Sequence, residues 1–310
     1  MSTEVSVTIH GCRGSFPVTG DEFTRYGGAT SCVVVRVGDR EIIFDAGSGI
    51  INYGKDLLSN ALKQDKCLQM TLLFTHSHFD HLIGLPYFSP IFHPNSTLHL
   101  FGPRSNRFRS FEETIENLIQ SPYYPVALHE MHALKFFDDI SEADSLYFVE
   151  GEAAPIKLRC GHPNQAKRIP SDDRIEAKVH CMRGYNHPKS GVNIYKIEAA
   201  GRKIVYATDT EGYVHGDQRL AEFARGADLL IHDAMYTDEH YTSLPVPTQG
   251  YGHSTVQIAT KLATLAEVET LCLFHHDPTS TDAILDEVAE TSVELFENSV
   301  VARDGLVFSL

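Results

Sequence analysis

Basic residues are scarce in this chain. It has 26 lysines and arginines against 41 aspartates and glutamates in 310 residues, a formal net charge of −15. The shortage disfavours broad electrostatic binding to nucleic acid, because such binding relies on lysine and arginine to neutralise phosphates. It does not exclude an anionic substrate, since bound divalent cations make a pocket locally positive whatever the overall charge.

Three further features are missing from the sequence. No apolar run approaches the ~20 residues that a membrane-spanning helix needs. Residues 1–7 have neither the basic region nor the long apolar region of a signal peptide. The six cysteines are scattered and include no CxxC pair and no disulfide-like spacing. We therefore expect a reduced, cytoplasmic setting and no association with a membrane.

Histidine, by contrast, is plentiful, with 17 residues. The most informative stretch, residues 76–81, reads HSHFDH and follows a short apolar run that predicts a buried strand. On an extended chain, positions i and i+2 point the same way, so His76 and His78 can hold one metal ion. A helical turn after them would direct Asp80 and His81 toward a second ion.

The side chains of this stretch suit a divalent metal. Neutral imidazole and carboxylate oxygen are ligands of zinc, whereas three imidazoles and a carboxylate are a poor choice for a core. We expect two divalent ions and take Zn²⁺ as the first choice. The same donor atoms also accept Mn²⁺ or iron. The competing interpretation is a histidine-rich surface loop, which the preceding strand argues against.

The apolar patterns predict strands first and then strands mixed with helices, twice over. The predicted strands are residues 5–10, 31–37, 41–45, 71–74, 98–101, 177–182, 192–197, 203–206, 229–231 and 271–274. The predicted helices are residues 52–62, 110–120, 220–224, 255–266 and 282–296. We infer one domain over residues 1–310, with two similar halves in a layered sandwich. Residues 105–140 are predicted to be a pocket-forming insertion. Its irregular segment at residues 122–125 is either a wall or lid over a pocket or a packed surface loop.

Further candidate ligands stand where predicted strands meet loops, as is usual for functional sites. They are His187, Asp209 and His275, with His276 as an alternative to His275. A carboxylate placed like Asp209 can bridge two metals ~3.5–4 Å apart. Taken singly, each residue is more often a cap or a buried polar group. Together with the first cluster they supply the ligands of a two-metal hydrolase.

Two more residues are candidates for proton transfer. His253 lies before a predicted helix that Ser254 or Thr255 could cap, and it could give or take a proton there. Asp233 follows a predicted strand and could orient His253. The alternatives are a simple capping segment and an ordinary buried turn residue.

These residues, in this order, resemble the metallo-β-lactamase superfamily. The segment Asp45-Ala46-Gly47 is similar to the Asp-x-Gly turn that the family places before its metal loop. The resemblance implies an α/β (α+β) fold, a four-layer αββα sandwich with metals at one edge of its two sheets. It implies His76, His78 and His187 as ligands of the first metal, Asp80, His81 and His275 as ligands of the second, and Asp209 as the bridge.

Within that superfamily, the chain resembles the ribonuclease Z and phosphodiesterase branch. A His-Ser-Thr segment like the one at residues 253–255 supplies that branch's proton-transferring histidine. Residues 232–235 resemble its His-Glu-Ala-Thr segment, with Asp233 in place of glutamate. The chain lacks the basic, glycine- and proline-rich arm that grips tRNA, and its loop at residues 16–22 is acidic. These differences argue for a substrate smaller than tRNA.

The leading hypothesis is a dinuclear metal-dependent phosphodiesterase that acts on a small anionic phosphodiester or a cyclic nucleotide. A metal-bridging hydroxide oriented by Asp80 would attack phosphorus. His253, paired with Asp233, would protonate the leaving oxygen. The alternatives are a lactonase or thiol-esterase, a ribonuclease Z-like tRNA 3′ endonuclease, and a metal-binding sensor without turnover. We do not expect large nucleic acid as a partner, and a homodimer is left open.

Overall fold

The computed structural model describes residues 3–161, 168–213 and 216–310. These residues form two β-sheets that pack face to face, with helices against the outer face of each sheet. None of the helices within those ranges is long and apolar enough to cross a membrane.

The first sheet has an antiparallel half and a parallel half. Its strands are β1 (Val5–Gly11), β2 (Cys32–Val37), β3 (Arg40–Phe44), β4 (Leu68–Leu73), β5 (Ser96–Gly102), β6 (Leu134–Asp139) and β15 (Val307–Ser309). They lie in the order β15-β1-β2-β3-β4-β5-β6. Strands β3 to β6 run parallel to one another, whereas the pairs from β15 to β3 are antiparallel. The carboxyl ends of the parallel strands therefore meet at one edge.

The second sheet repeats this arrangement. Its strands are β7 (Asp144–Val149), β8 (Ile156–Arg159), β9 (Ile175–Gly184), β10 (Val192–Ala199), β11 (Arg202–Ala207), β12 (Leu229–Asp233), β13 (Thr270–Phe274) and β14 (Ser299–Val301). They lie in the order β14-β13-β12-β11-β10-β9-β7-β8. Strands β11 to β14 are parallel, and the other pairs are antiparallel.

Six α-helices complete the sandwich described here. They are α1 (Ile50–Lys63), α2 (Phe111–Leu118), α3 (Gln218–Ala224), α4 (Asp238–Thr242), α5 (Val256–Leu265) and α6 (Asp282–Leu295). Helices α1 and α2 bury apolar side chains against the first sheet, and α3, α5 and α6 do so against the second. Aromatic side chains fill the space between the sheets, among them Phe44, Phe148, Tyr206 and Phe274. This is the predicted αββα sandwich.

All the predicted strands and helices are present, with ends shifted by up to three residues. The sequence patterns missed β6, β7, β8, β14, β15 and α4. The helical turn expected after His78 is a single 3-10 turn, Phe79–His81. Residues 105–140 include α2 and the edge strand β6. A pocket-forming role for that segment stays a prediction.

Candidate metal centre

The HSHFDH stretch lies just beyond the carboxyl end of β4. His76 and His81 are buried, whereas His78 is exposed. The backbone is extended at His78 and then enters the 3-10 turn. This turn directs Asp80 and His81 away from the first two histidines, so the stretch is divided between two groups of side chains.

The first group consists of His76, His78, His187 and Asp209, whose ligand atoms all lie within 4.8 Å of one another. Nε2 of His187 is 3.0 Å from Nδ1 of His78. Nε2 of His76 and Nε2 of His187 are 3.6 and 3.7 Å from Oδ1 of Asp209. These separations are about those of atoms around one cation with bonds of ~2.0–2.2 Å.

The second group consists of Asp80, His81, Asp209 and His275. Nε2 of His81 lies 3.3 Å from Oδ2 of Asp80 and 3.1 Å from Oδ2 of Asp209. Nε2 of His275 lies 3.2 Å from each of the same two oxygens. Asp209 thus turns Oδ1 toward the first group and Oδ2 toward the second, the arrangement of a bridging carboxylate.

Hydrogen bonds orient three of the histidine rings. His81 donates from Nδ1 to Asp45 Oδ2 at 2.8 Å, and His187 donates from Nδ1 to the Gly252 carbonyl at 3.0 Å. Nδ1 of His76 is 3.0 Å from the Thr75 hydroxyl, which itself donates to Asp45. Because these bonds hold the proton on Nδ1, each ring presents the Nε2 lone pair to the centre.

The chemistry of these side chains fits divalent cations. Among the described side chains, Nε2 of His76 and Nε2 of His81 are buried and have no hydrogen-bond partner. Burial lowers the pKa of His81, but Asp209, Asp80 and Asp45 outweigh it and hold this pKa well above its ordinary value. The carboxylates thus favour a positive charge between them, which a bound metal would supply.

The second sheet brings its site residues together through the register of its parallel strands. Ala207 pairs with His232, and Asp233 pairs with Phe274. Asp209, Asp233 and His275 therefore stand at or just beyond neighbouring strand ends. Asp209 and His275 have φ values of 53° and 65°. This left-handed backbone turns the chain sharply as each strand ends.

His253 lies beside the second group and is held by Asp233. Its Nδ1 is 2.7 Å from Asp233 Oδ2, and its ring stacks on that of His275 with centroids 5.0 Å apart. Burial lowers the pKa of His253, but Asp233 outweighs burial and raises this pKa to about 9. A pKa in this range favours the protonated imidazole at neutral pH. Thr255, rather than Ser254, caps α5 by accepting from Ile258 N.

Sequence reasoning missed two residues that support these ligands. The sequence places Asp45 only in a turn, yet in the structure it contacts both His81 and Thr75. Its signal was available, because it follows a buried strand in the same way as Asp209. Glu211 had no such signal: its carboxylate accepts from the Tyr241 hydroxyl and from the backbone N–H groups of Gly250 and Gly252. It thereby fixes the loop that leads to His253.

Comparison with known proteins identifies the family. Residues 40–276 match the family model described as the Beta-lactamase superfamily domain. The chain belongs to the β-lactamase superfamily. Ribonuclease Z of Thermoplasma volcanium is 26% identical to this superfamily member, over 100% of this chain and 99% of the relative.

Solved structures of the same fold cover nearly the whole chain. The metallo-β-lactamase fold protein YhfI from Bacillus subtilis has a TM-score of 0.66 at 18% identity, over 99% of this chain and 100% of that one. The short form of human tRNase Z has a TM-score of 0.61 at 20% identity, over 98% of each chain. At these sequence identities, both similarities show a shared fold only.

All nine predicted site residues of this β-lactamase superfamily chain gather at one edge of the sandwich. They are His76, His78, Asp80, His81, His187, Asp209, Asp233, His253 and His275. His276 lies outside the two ligand groups, because its Nε2 donates to the carbonyl of Ala302 at 2.8 Å. His275 is therefore the residue of this pair that faces the centre.

Proposed function

We propose that the protein is a hydrolase that uses two divalent metal ions to cleave phosphodiesters. The observation that carries this proposal is the joining of two ligand groups by Asp209, with His253 as a proton donor beside them. Metals bound there would activate water and stabilise negative charge on the phosphoryl oxygens. The curated relative named ribonuclease Z, aligned over its whole length, supports the nuclease and phosphodiesterase branch.

In this proposal the chain supplies two sets of ligands. The first ion would be held by His76, His78 and His187, the second by Asp80, His81 and His275, with Asp209 between them. The donors suit Zn²⁺ best, although Mn²⁺ and iron accept the same ligands. Asp80 has a second role, to orient the attacking water. Its Oδ2 already accepts a hydrogen bond from Ser15 N at 2.7 Å, which fixes the carboxylate.

His253 would donate a proton to the leaving oxygen as the phosphorus–oxygen bond breaks. The proton comes from Nε2, because Nδ1 is bonded to Asp233. Asp233 keeps the ring in this orientation and stabilises its charged form. The methylene missing relative to glutamate does not prevent this contact, since the two side chains meet at 2.7 Å.

The charge of the chain favours a small substrate over a large nucleic acid. With a net charge of −15, long-range repulsion of a polyanion is strong. A tRNA 3′ endonuclease is the second candidate, favoured by the relative's name and its full-length alignment.

A substrate panel tests the proposal. The zinc-loaded protein would be assayed on bis(p-nitrophenyl) phosphate, cyclic nucleotides, a precursor-tRNA transcript, lactones and thioesters. We expect turnover of the small phosphodiesters, reduced to background in Asp209→Asn and unchanged in the surface control Asp286→Asn. Preferred cleavage of the transcript would favour the second candidate. Turnover of lactones or thioesters alone, or of nothing, would exclude the phosphodiesterase.

A further inference from the structure

The ring of His275 lacks the kind of hydrogen bond that orients His81, the other histidine of the second group. Within the described ranges, Nδ1 of His275 is buried and has no hydrogen-bond partner, since Asp233 Oδ2 lies 3.6 Å away. Metal-binding histidines usually donate this second N–H group to a fixed acceptor, as His81 does to Asp45. The direction of the His275 ring is therefore set by its backbone and by the atoms packed against it.

A short segment around Arg13 packs along the chain that carries His275. Cys12 O accepts a hydrogen bond from His276 N, and Gly14 N donates to His276 O, each at 2.9 Å. A Cβ atom on Gly14 would lie 2.6 Å from the His275 ring, so the glycine backbone packs directly against that ring. The segment thus contacts both the backbone beside His275 and the ring itself.

The side chain of Arg13 holds the loop that follows His275. It is fully buried. Its Nη1 donates to the carbonyl oxygens of Asp277 at 3.2 Å and Ser280 at 2.6 Å, and its Nε donates to that of Gly27 at 2.9 Å. One buried side chain therefore joins the loop of His275 to a second loop at Gly27.

Burial of this guanidinium group is costly, because its charge leaves water. Within the described residues, Nη2 of Arg13 is buried and has no hydrogen-bond partner. An apolar side chain of similar size would avoid that cost, but it could not donate to three carbonyl groups. The hydrogen bonds of Arg13 to the loops, rather than the filling of space, account for an arginine at this position.

We propose that Arg13 is a positioning residue for the metal ion of the second ligand group. It would fix the direction in which His275 presents Nε2, through the backbone segments that it joins. Asp80 of the same group is contacted from the same segment, since Ser15 N donates to its Oδ2 at 2.7 Å. This inference rests on the proposed two-metal function and adds a residue that acts on one of the two ions.

The histidines of the first group are oriented by other parts of the chain. Nδ1 of His76 is 3.0 Å from the Thr75 hydroxyl, and Nδ1 of His187 donates to the Gly252 carbonyl. Neither Thr75 nor Gly252 belongs to the segments that Arg13 joins. Loss of the Arg13 hydrogen bonds should therefore weaken binding of the second ion and spare the first.

Zinc titration of Arg13→Lys and Arg13→Met tests the proposal. The two dissociation constants are measured by calorimetry with a competing chelator, and His275→Ala identifies the step that belongs to the second group. We expect both Arg13 variants to weaken that step by about 10- to 100-fold and to leave the other within about twofold, as for loss of a residue that supports a metal ligand. Lysine keeps the charge but not the planar fork of donors, so it should not restore the affinity.

Arg40→Lys is the matched control. Like Arg13, Arg40 donates to two backbone carbonyl groups of another segment, and its guanidinium group lies over a phenylalanine ring. It begins β3, at the opposite end of that strand from Asp45 and the metal centre. Both zinc affinities should therefore be unchanged in Arg40→Lys.

Unfolding of each metal-free variant is followed in urea, so that a general loss of stability is not read as lost positioning. If Arg13→Met does not fold, Arg13→Lys decides. Equal weakening of both ions, or unchanged affinity for both, would overturn the role of Arg13 while the two-metal hydrolase stands. A wild type that binds fewer than two zinc ions would show instead that the proposed function itself fails.

Discussion

The contact between Asp233 and His253 gives the sharpest prediction, tested by Asp233→Asn. The buried Asp233 carboxylate accepts three hydrogen bonds: from His253 Nδ1 at 2.7 Å, Ser254 N at 2.9 Å and Met235 N at 3.1 Å. Ser254 and Met235 both donate to Oδ1. An asparagine must place its NH₂ group at one of the two oxygen positions.

The two placements of the NH₂ group differ in which hydrogen bonds they remove. With NH₂ at the Oδ1 position, two buried backbone donors lose their acceptor, at about 1–3 kcal/mol each. With NH₂ at the Oδ2 position, the one hydrogen bond lost is that from His253, and Nδ1 of His275 lies 3.6 Å from the same position. The second placement is therefore favoured, and His253 must then accept through Nδ1 and becomes neutral with its proton on Nε2. Neutral imidazole is a very weak acid, so we expect loss of a general-acid contribution of about 10²–10⁴ in kcat.

The assay compares leaving groups. Protonation matters most for a poor leaving group such as a nucleoside alkoxide and least for p-nitrophenolate. Asp233→Asn and His253→Ala should both slow cleavage of a diester that releases a nucleoside alkoxide much more than cleavage of one that releases p-nitrophenolate. Both variants should still bind two metals. Their free energy of unfolding should be lowered by only a few kcal/mol. Equal slowing of both substrates, or no slowing, would refute the assignment of His253 as proton donor. Asp277→Asn, a buried aspartate outside the ligand groups, is the control.

Four further predictions concern the site and its support. Chelation should abolish turnover and lower Tm, and two equivalents of Zn²⁺ per chain should restore both; restoration by one would contradict the two-metal site. In Gly14→Ala the added Cβ would lie 2.6 Å from the ring of His275, so metal titration should show weaker binding at the second group in a folded chain. Glu211→Gln places an NH₂ group against a backbone N–H group of the loop, whichever oxygen it replaces. The free energy of unfolding measured in urea should therefore fall by about 1–3 kcal/mol. An unchanged value would show that the three hydrogen bonds of Glu211 contribute little to stability. Burial lowers the pKa of His10 from 6.5 to about 4, so between these two pH values the unfolded chain binds more protons than the folded chain. The free energy of unfolding should therefore fall by up to about 3 kcal/mol as the pH drops from 6.5 to 4. The fall should be smaller in His10→Gln.

The elements that the sequence predicted are those whose burial leaves a pattern. Strand β2, Cys32–Val37, is an almost continuous β-branched run, and all of its residues but one are buried. Strand β6, by contrast, exposes Leu134 and Phe136, and its place comes from hydrogen bonds to β5 at the sheet edge. Such pairing depends on a partner distant in sequence, so the residues of β6 alone do not predict it.

The sequence by itself determined the superfamily resemblance and the residue types at the strand ends. His76, Asp209 and His275 each follow an apolar run closely, and that relation is local. Only the tertiary structure decided which of His275 and His276 faces the centre, and that Asp233 contacts His253 twenty residues away. The physical reason is that strand register and backbone turns fix the directions of side chains. Composition and spacing along the chain do not contain those directions.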